Sequence, residues 1–147
     1  MRTEKEIVTG FIQAACKIGG SWEEVAQYAD GNGKYTHPLF QIYTIREWYN
    51  SIVMFRQVFP NLNQKIVAVA IADDGHVYVK TQASATFFGN FEGIIANGKS
   101  WEAPIFWEFE LADDKIISAS ELVNHHAINE QLGLALFKAP FERRKAL

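Results

Sequence analysis

The chain has few cysteines, few long apolar runs and few basic clusters, and each of these shortages excludes a class of site or partner. Among its 147 residues there is one cysteine, Cys16, which excludes an intramolecular disulfide and any site built from several cysteines. No apolar run approaches the roughly 20 residues that a membrane-spanning helix needs, and no apolar leader precedes the first helix pattern. We therefore expect a soluble, cytoplasmic protein that does not interact with a membrane.

Basic clusters are scarce as well. The net charge is −3 and the pI is near 5.8, and the one basic run is Arg143-Arg144-Lys145. Surfaces that bind nucleic acid gather lysine and arginine on one face, so we expect no nucleic-acid partner. The paired acids Asp73-Asp74 and Asp113-Asp114 lie in turn-forming sequence and predict no metal site.

Aromatic residues, in contrast, are abundant. There are 11 Phe, 5 Tyr and 4 Trp, which is more ring surface than a core of this size needs. Such a composition fits either a dense core or an apolar cavity. The length predicts one domain over residues 1–147, large enough to bury a core without disulfides or metals.

Hydrophobic periodicity predicts helices first and strands afterwards. Helices are expected to begin at Thr3, Ser21 and Thr44, each followed three residues later by glutamate, which is the capping-box pattern. Asp30-Gly31-Asn32-Gly33 is predicted to end the second helix, and Pro60 the third. Alternation then predicts four strands and a short helix at 65–72, 76–87, 101–111, 116–124 and 128–137. Helices ahead of antiparallel strands indicate the α+β class.

One carboxylate interrupts an apolar strand face. Successive strand residues point to opposite sides, so one side of the last strand carries Ile117, Ala119, Glu121 and Val123. The neighbouring strand presents Trp101, Ala103, Ile105, Trp107, Phe109 and Leu111. An acid packed against these apolar side chains is partly desolvated, which raises its pKa toward the range useful for proton transfer. We predict that Glu121 is a catalytic acid or base; the alternative is a structural ion pair with Lys80 or a buried hydrogen-bond network.

A set of short segments in a fixed order carries a family resemblance. The segments are Tyr35-Thr36-His37-Pro38, Phe59-Pro60-Asn61-Leu62, Asp74-Gly75, Gly89-Asn90-Phe91-Glu92-Gly93-Ile94, Asn97-Gly98-Lys99, Phe109 to Ile116, Glu121 and Gln131-Leu132-Gly133. In this order and spacing they resemble the SnoaL-like polyketide cyclase family. The likeness covers roughly the C-terminal half, and no single segment is a strong motif.

The resemblance implies the cone-shaped fold of the nuclear transport factor 2-like superfamily. In that fold, N-terminal helices pack on a strongly curved antiparallel sheet and enclose an apolar pocket. The resemblance also implies ring closure by intramolecular aldol condensation with acid–base residues, no cofactor and no metal, and a homodimer formed through the outer sheet face. Relatives include isomerases, epoxide hydrolases, dehydratases and proteins of no known activity, so the fold constrains the pocket better than the reaction.

The chain departs from the family's catalytic pattern beside the acid. The catalytic aspartate of the cyclases falls at Glu121, and their histidine on the neighbouring strand falls at Trp107. The His-Trp pair that precedes the acid in many relatives is Ala119-Ser120 in this chain. A carboxylate–imidazole dyad is therefore absent at those positions.

Histidines elsewhere could supply the missing imidazole. His37 lies in a segment that Pro38 keeps extended, and we predict it as a second catalytic residue if that segment covers the pocket mouth. The alternative is an exposed turn histidine. His125 and His126 follow the last strand, where adjacent side chains diverge, so at most one can face a cavity. Their spacing suits zinc poorly.

The predicted ligand site is lined by aromatic residues and one histidine: Trp107, Trp101, Phe109, Trp48, Phe55, Phe87, Phe91 and His125. Ordinary core packing is the competing interpretation for most of these rings. An indole at position 107 could stack on a planar ligand or donate one hydrogen bond.

Three functional hypotheses follow. The leading one is a cofactor-independent cyclase or isomerase that acts on a small hydrophobic, polyketide- or steroid-like molecule. The second is a non-catalytic protein that sequesters such a molecule. The third is a protein-interaction module whose interior is filled by side chains; a cavity lined by Trp107 and Glu121 would argue against it.

Overall fold

Helices pack on one face of a curved, five-stranded sheet in the computed structural model, which describes residues 1–37 and 41–134. The elements are α1 (Glu4–Cys16), α2 (Trp22–Ala26), β1 (Ala29–Thr36), α3 (Ile45–Val58), β2 (Asn63–Ile71), β3 (Val77–Thr86), β4 (Ser100–Ala112), β5 (Lys115–Val123) and α4 (His125–Gln131). The strand order is β1-β5-β4-β3-β2, and all neighbours are antiparallel except β1 and β5. The predicted α+β class is confirmed.

The first three helices begin where the capping pattern predicts. The Thr3 hydroxyl accepts a hydrogen bond from the Glu6 amide at 3.1 Å, and the Glu6 carboxylate accepts one from the Thr3 amide at 3.1 Å. Ser21 and Thr44 likewise accept from the amide three residues on. Such caps each stabilise a helix by about 1 kcal/mol. Within the described residues, no helix is both long and apolar enough to cross a membrane.

The segment Asp30–Gly33 lies within β1 and does not end α2, so that prediction was wrong. β1 pairs in parallel with β5, and its register shifts between Ala29 and Lys34. Such an irregularity lets a strand carry extra residues, and glycine is typical of it. A Cβ atom on Gly33 would lie 2.7 Å from the Ile117 carbonyl oxygen. Residues typical of turns therefore serve here as a bulged strand packed closely on its neighbour.

The inward face of the sheet carries the core, and the predicted alternation on β3 and β4 is confirmed. Its buried residues on these strands are Val77, Val79, Thr81, Ala83, Ala85, Trp101, Ala103, Ile105, Trp107 and Phe109. Phe11 of α1 and Trp48 of α3 pack on this face, with ring centroids 5.3 Å apart. Burial of each large ring removes apolar surface from water and stabilises the fold by about 1.5–3 kcal/mol.

β5 contains a bulge that changes which isoleucine faces the core. The pairing with β4 shifts between Glu110 and Leu111, so Ile116 is fully buried in place of the predicted Ile117. The extra residue bends the strand locally. Beyond the bulge the alternation is as predicted, and Glu121 faces inward beside Tyr35.

The last helix begins earlier than predicted. Asn124 caps α4, and its side chain accepts a hydrogen bond from the Ala127 amide at 3.0 Å. His125 and His126 therefore lie in the first helical turn, and the expectation that they diverge as strand neighbours was wrong. The predicted helix extended to residue 137, and residues 135–137 lie outside the described part of the chain.

Candidate functional site

Glu121 is held at one of its two carboxylate oxygens. The Tyr35 hydroxyl on β1 donates a hydrogen bond to Oε1, and Trp48 Nε1 on α3 donates to the same atom at 3.0 Å. No residue in the described ranges donates to Oε2. One of the two carboxylate oxygens is thus fixed by the protein.

Burial sets the protonation behaviour of this carboxyl. Desolvation raises the pKa of Glu121 from 4.5 to about 7, against the hydrogen bonds from Tyr35 and Trp48, which lower it. Burial, followed by the adjacent carboxylate, raises the pKa of Tyr35, so the phenol stays protonated and remains a donor. Near neutral pH both forms of Glu121 are populated, as a general acid or base requires.

The alternative ion pair between Glu121 and Lys80 does not form. Lys80 is exposed on the outward face, where its Nζ lies 5.7 Å from the centre of the Phe106 ring. β3 places this lysine on the side of the sheet opposite to the inward-facing carboxylate. The other structural alternative was a buried hydrogen-bond network. Such a network is present, because Tyr35 and Trp48 both donate hydrogen bonds to Glu121.

Trp107 lies directly across the strand pair from Glu121 and is 2% exposed. Its Nε1 donates a hydrogen bond to Gln64 Oε1 at 3.0 Å. Three rings surround the indole, with centroids at 6.2, 5.3 and 5.2 Å: Phe11, Trp48 and Phe109. Of the predicted lining residues, Trp107, Trp48 and Phe109 are thus brought together beside the acid.

The remaining predicted aromatic residues lie elsewhere. Trp101 and Phe87 pack around Phe59, at centroid distances of 6.0 and 5.9 Å. Phe55 is half-buried on α3, and Phe91 is 40% exposed in the loop between β3 and β4. The predicted lining is therefore divided between two aromatic groups, a helix position and an exposed loop.

His37 and His125 meet at one end of β1. Their Nε2 atoms are 3.3 Å apart, and the His37 ring stacks on Tyr35 at 6.4 Å between centroids. Burial, and then the neighbouring imidazole, lowers the pKa of His37 to about 4; burial also lowers the pKa of His125. Both rings are therefore neutral at pH 7. His126 instead pairs with Glu130 at 3.1 Å.

Two residues of this region were not predicted from the sequence. Tyr35 follows a segment that was predicted to be a turn and lies two residues beyond it. No strand was predicted there, so the sequence did not indicate that the Tyr35 hydroxyl faces Glu121. Gln64 is 8% exposed on β2, and its Oε1 also accepts a hydrogen bond from Thr81 Oγ1 at 2.8 Å. The predicted strand began at residue 65, whereas β2 begins at Asn63, so the sequence offered no strand position for Gln64.

Two surface hollows lie away from Glu121. One of about 510 Å³ is lined by α2, β1 and β5 residues and by Arg46, whose guanidinium lies 4.6 Å from the centre of the Trp22 ring. The other, of about 200 Å³, lies on the outward sheet face and includes His76 and Glu108, which are 3.0 Å apart. Among residues 1–37 and 41–134, no group of three or more His, Cys, Asp or Glu side chains could hold a metal ion.

Comparison with known proteins assigns the family. The profile of the SnoaL-like polyketide cyclases matches residues 7–132. The chain belongs to the SnoaL-like polyketide cyclase family. No curated protein sequence matches this SnoaL-like chain.

Solved structures of SnoaL-like and related proteins share the fold. IdmH, a proposed polyketide cyclase from Streptomyces antibioticus, has a TM-score of 0.79 at 15% identity, over 90% of this chain and 99% of its own. A proposed SnoaL-like cyclase from Jannaschia sp. CCS1 has a TM-score of 0.75 at 18% identity, over 92% and 97%. A protein of ketosteroid isomerase-like fold from Catenulispora acidiphila, in complex with trimethylamine, has a TM-score of 0.73 at 16% identity, over 94% and 100%. At such identities the likeness shows the fold alone.

Proposed function

We propose that this SnoaL-like protein binds a small hydrophobic carbonyl compound and transfers a proton on it through Glu121, as a cyclase or isomerase without a cofactor. The observation that carries the proposal is a carboxyl with a pKa of about 7 that lies across the strand pair from the buried Trp107. Tyr35 and Trp48 fix its Oε1 and leave Oε2 to face the substrate. A base that is held in place and titrates near working pH is suited to proton abstraction from carbon.

The proposed reaction needs no oxidant or reductant. The ionised Glu121 takes a proton from the carbon next to a carbonyl, and the C–H electron pair becomes the enolate. In a cyclisation, the enolate carbon bonds to a second carbonyl carbon of the same molecule, the π electron pair of that carbonyl moves to its oxygen, and this oxygen takes the proton back from the Glu121 carboxyl. In an isomerisation, the proton returns to another carbon of the conjugated system. In both cases the carboxyl regains its starting protonation state.

Hydrogen–deuterium exchange tests the proton transfer without knowledge of the natural substrate. The probe is 2-tetralone, a bicyclic ketone whose α-hydrogens exchange in D₂O and are followed by NMR. We expect the wild-type protein to accelerate exchange and Glu121→Gln to lose about 100-fold or more of that acceleration, since a general base contributes at least that much. Amide and carboxyl groups have nearly the same shape, so the substitution removes the base and keeps the packing.

The matched control is Glu110→Gln. This carboxylate lies on β4, is exposed and faces outward, so its removal should leave the exchange rate unchanged. If exchange in Glu121→Gln equals that of the wild type, Glu121 is not the base and the proposed mechanism is wrong.

A binding protein without catalysis is the second candidate function. It is favoured by Trp107, which occupies the position of the family's histidine and donates its one N–H to Gln64. Such a protein would quench its tryptophan fluorescence on binding 2-tetralone and leave the exchange rate at that of buffer.

We also propose that the protein forms a homodimer through the outward face of its sheet. Phe106, Leu122 and Tyr78 are 51%, 62% and 43% exposed there, and Phe106 pairs across the strands with Leu122. Adjacent exposed apolar residues of this size are typical of interaction surfaces. Leu122→Glu should convert the dimer into a monomer in sedimentation velocity experiments. A wild-type monomer, or a variant that stays dimeric, would contradict the proposal.

A further inference from the structure

Two histidine side chains that are far apart in the chain meet through the same ring nitrogen. His37 directly follows β1 and His125 is the first residue of α4, and their Nε2 atoms are 3.3 Å apart. The centres of the two rings are 5.2 Å apart, and the ring planes are inclined at 57°. The His37 ring also stacks on Tyr35, and Asn124 caps the helix that carries His125. Contacts on each side therefore hold both rings in place.

A direct hydrogen bond between the two nitrogens accounts poorly for these two distances. An in-line N–H···N bond at this separation would place the ring centres about 5.6 Å apart, because each nitrogen lies about 1.15 Å from the centre of its ring. The observed ring centres of His37 and His125 are closer than that. A shorter distance is expected when the axes of the two rings converge on a common point beside the two nitrogens.

A tetrahedral metal ion at that point accounts for both distances. Two imidazole nitrogens that bind one zinc ion at about 2.0–2.1 Å lie about 3.3–3.4 Å apart, with their ring centres about 5.1–5.3 Å apart. The corresponding distances for His37 and His125 are 3.3 and 5.2 Å. Neighbouring nitrogens in a square-planar copper or nickel site lie only about 2.9 Å apart at similar bond lengths. The separation of the two nitrogens therefore favours a tetrahedral ion over a square-planar one.

We infer that Nε2 of His37 and Nε2 of His125 together bind a divalent zinc ion. Imidazole binds zinc in its neutral form, and burial lowers the pKa of both rings, so both are neutral at pH 7. Among residues 1–37 and 41–134, no third His, Cys, Asp or Glu side chain completes the set. The described residues thus leave two of the four tetrahedral positions to water or to an oxygen or nitrogen atom of a small molecule.

Tyr35 connects this histidine pair to Glu121. The His37 ring stacks on the Tyr35 ring, and the Tyr35 hydroxyl donates a hydrogen bond to the Glu121 carboxylate. The zinc ligands are different atoms from the carboxyl that is proposed to transfer the proton. Zinc binding by the two histidines therefore does not depend on the proposed function, and either can fail without the other.

Isothermal titration calorimetry with Zn²⁺ tests the site in protein that has been dialysed against a chelator. His37→Gln and His125→Gln should each weaken Zn²⁺ binding at least about tenfold, since loss of an outer-shell partner alone costs that much at a metal site. His126→Gln is the matched control and should keep the wild-type affinity, because that histidine is next in the chain and pairs with Glu130. Mg²⁺, which prefers oxygen ligands, should not compete with Zn²⁺.

Nitrogen-15 NMR of the histidine rings locates the ion in the wild-type protein, without any substitution. Zn²⁺ should shift the Nε2 signals of His37 and His125 and leave those of His76 and His126 in place. The inference would be overturned if the wild type does not bind Zn²⁺, if either His37→Gln or His125→Gln keeps the wild-type affinity, or if His126→Gln loses as much affinity as they do. Signal shifts confined to His76 and His126 would overturn it as well.

Discussion

Replacing Glu121 by glutamine should stabilise the protein above neutral pH. The pKa of this carboxyl is raised from 4.5 to about 7 by burial, so the folded state holds the proton more tightly than the unfolded chain does. The contribution of Glu121 to stability is therefore fully present below about pH 4.5 and is lost as the pH rises through about 7. The full loss corresponds to about 3 kcal/mol, from roughly 1.4 kcal/mol per unit of pKa.

Glutamine cannot ionise and keeps an oxygen that accepts from Tyr35 and Trp48. Between about pH 5 and pH 8.5, the free energy of unfolding of Glu121→Gln should therefore gain roughly 2 to 3 kcal/mol relative to the wild type. His37 and His125 titrate in both proteins, so their contributions cancel in this difference.

Urea unfolding followed by tryptophan fluorescence measures the effect. Glu110→Gln removes an exposed carboxylate on the outward face. Its free energy of unfolding should differ from that of the wild type by an amount that changes little with pH. If the free energy of unfolding that Glu121→Gln gains over the wild type is equally independent of pH, or decreases as the pH rises, burial does not raise the pKa of this carboxyl.

Three further predictions concern the neighbours of the acid. Tyr35→Phe should raise the pKa of Glu121 by about one unit or more, since it removes a hydrogen bond to the carboxylate; an unchanged midpoint in a carbon-13 titration would contradict this. Trp107→Phe should lower the free energy of unfolding in urea by about 2 kcal/mol, because it leaves a cavity and removes one of the two hydrogen bonds to Gln64 Oε1. Between about pH 7 and pH 4.5, the free energy of unfolding should fall less in His37→Gln than in the wild type, because the wild-type His37 is buried beside His125 and resists protonation in the folded state. An equal fall in the two proteins would show that burial does not lower the pKa of His37.

The regular strands could be predicted from the sequence because their environment is regular. β3 and β4 are buried on one face over their whole length, so their side chains alternate without interruption. The inward position of Glu121 followed from the same alternation. Local capping chemistry likewise placed the starts of the first three helices, since it depends on residues three apart.

The irregular segments could not be predicted, for identifiable reasons. The register shift of β1 depends on close packing of Gly33 against β5, a contact between residues far apart in the chain. The bulge that buries Ile116 arises from pairing with β4 and leaves no local signature. The roles of Tyr35 and Gln64 depend on hydrogen bonds across several strands, which periodicity does not encode.

Glu121 is poised to exchange its proton near neutral pH, and a direct titration of its carboxyl tests this. Carbon-13 NMR of protein labelled at the glutamate carboxyl carbons follows each group, and the signal missing from Glu121→Gln identifies this one. We expect a midpoint near pH 7. A midpoint near the ordinary value of about 4.5 would contradict it.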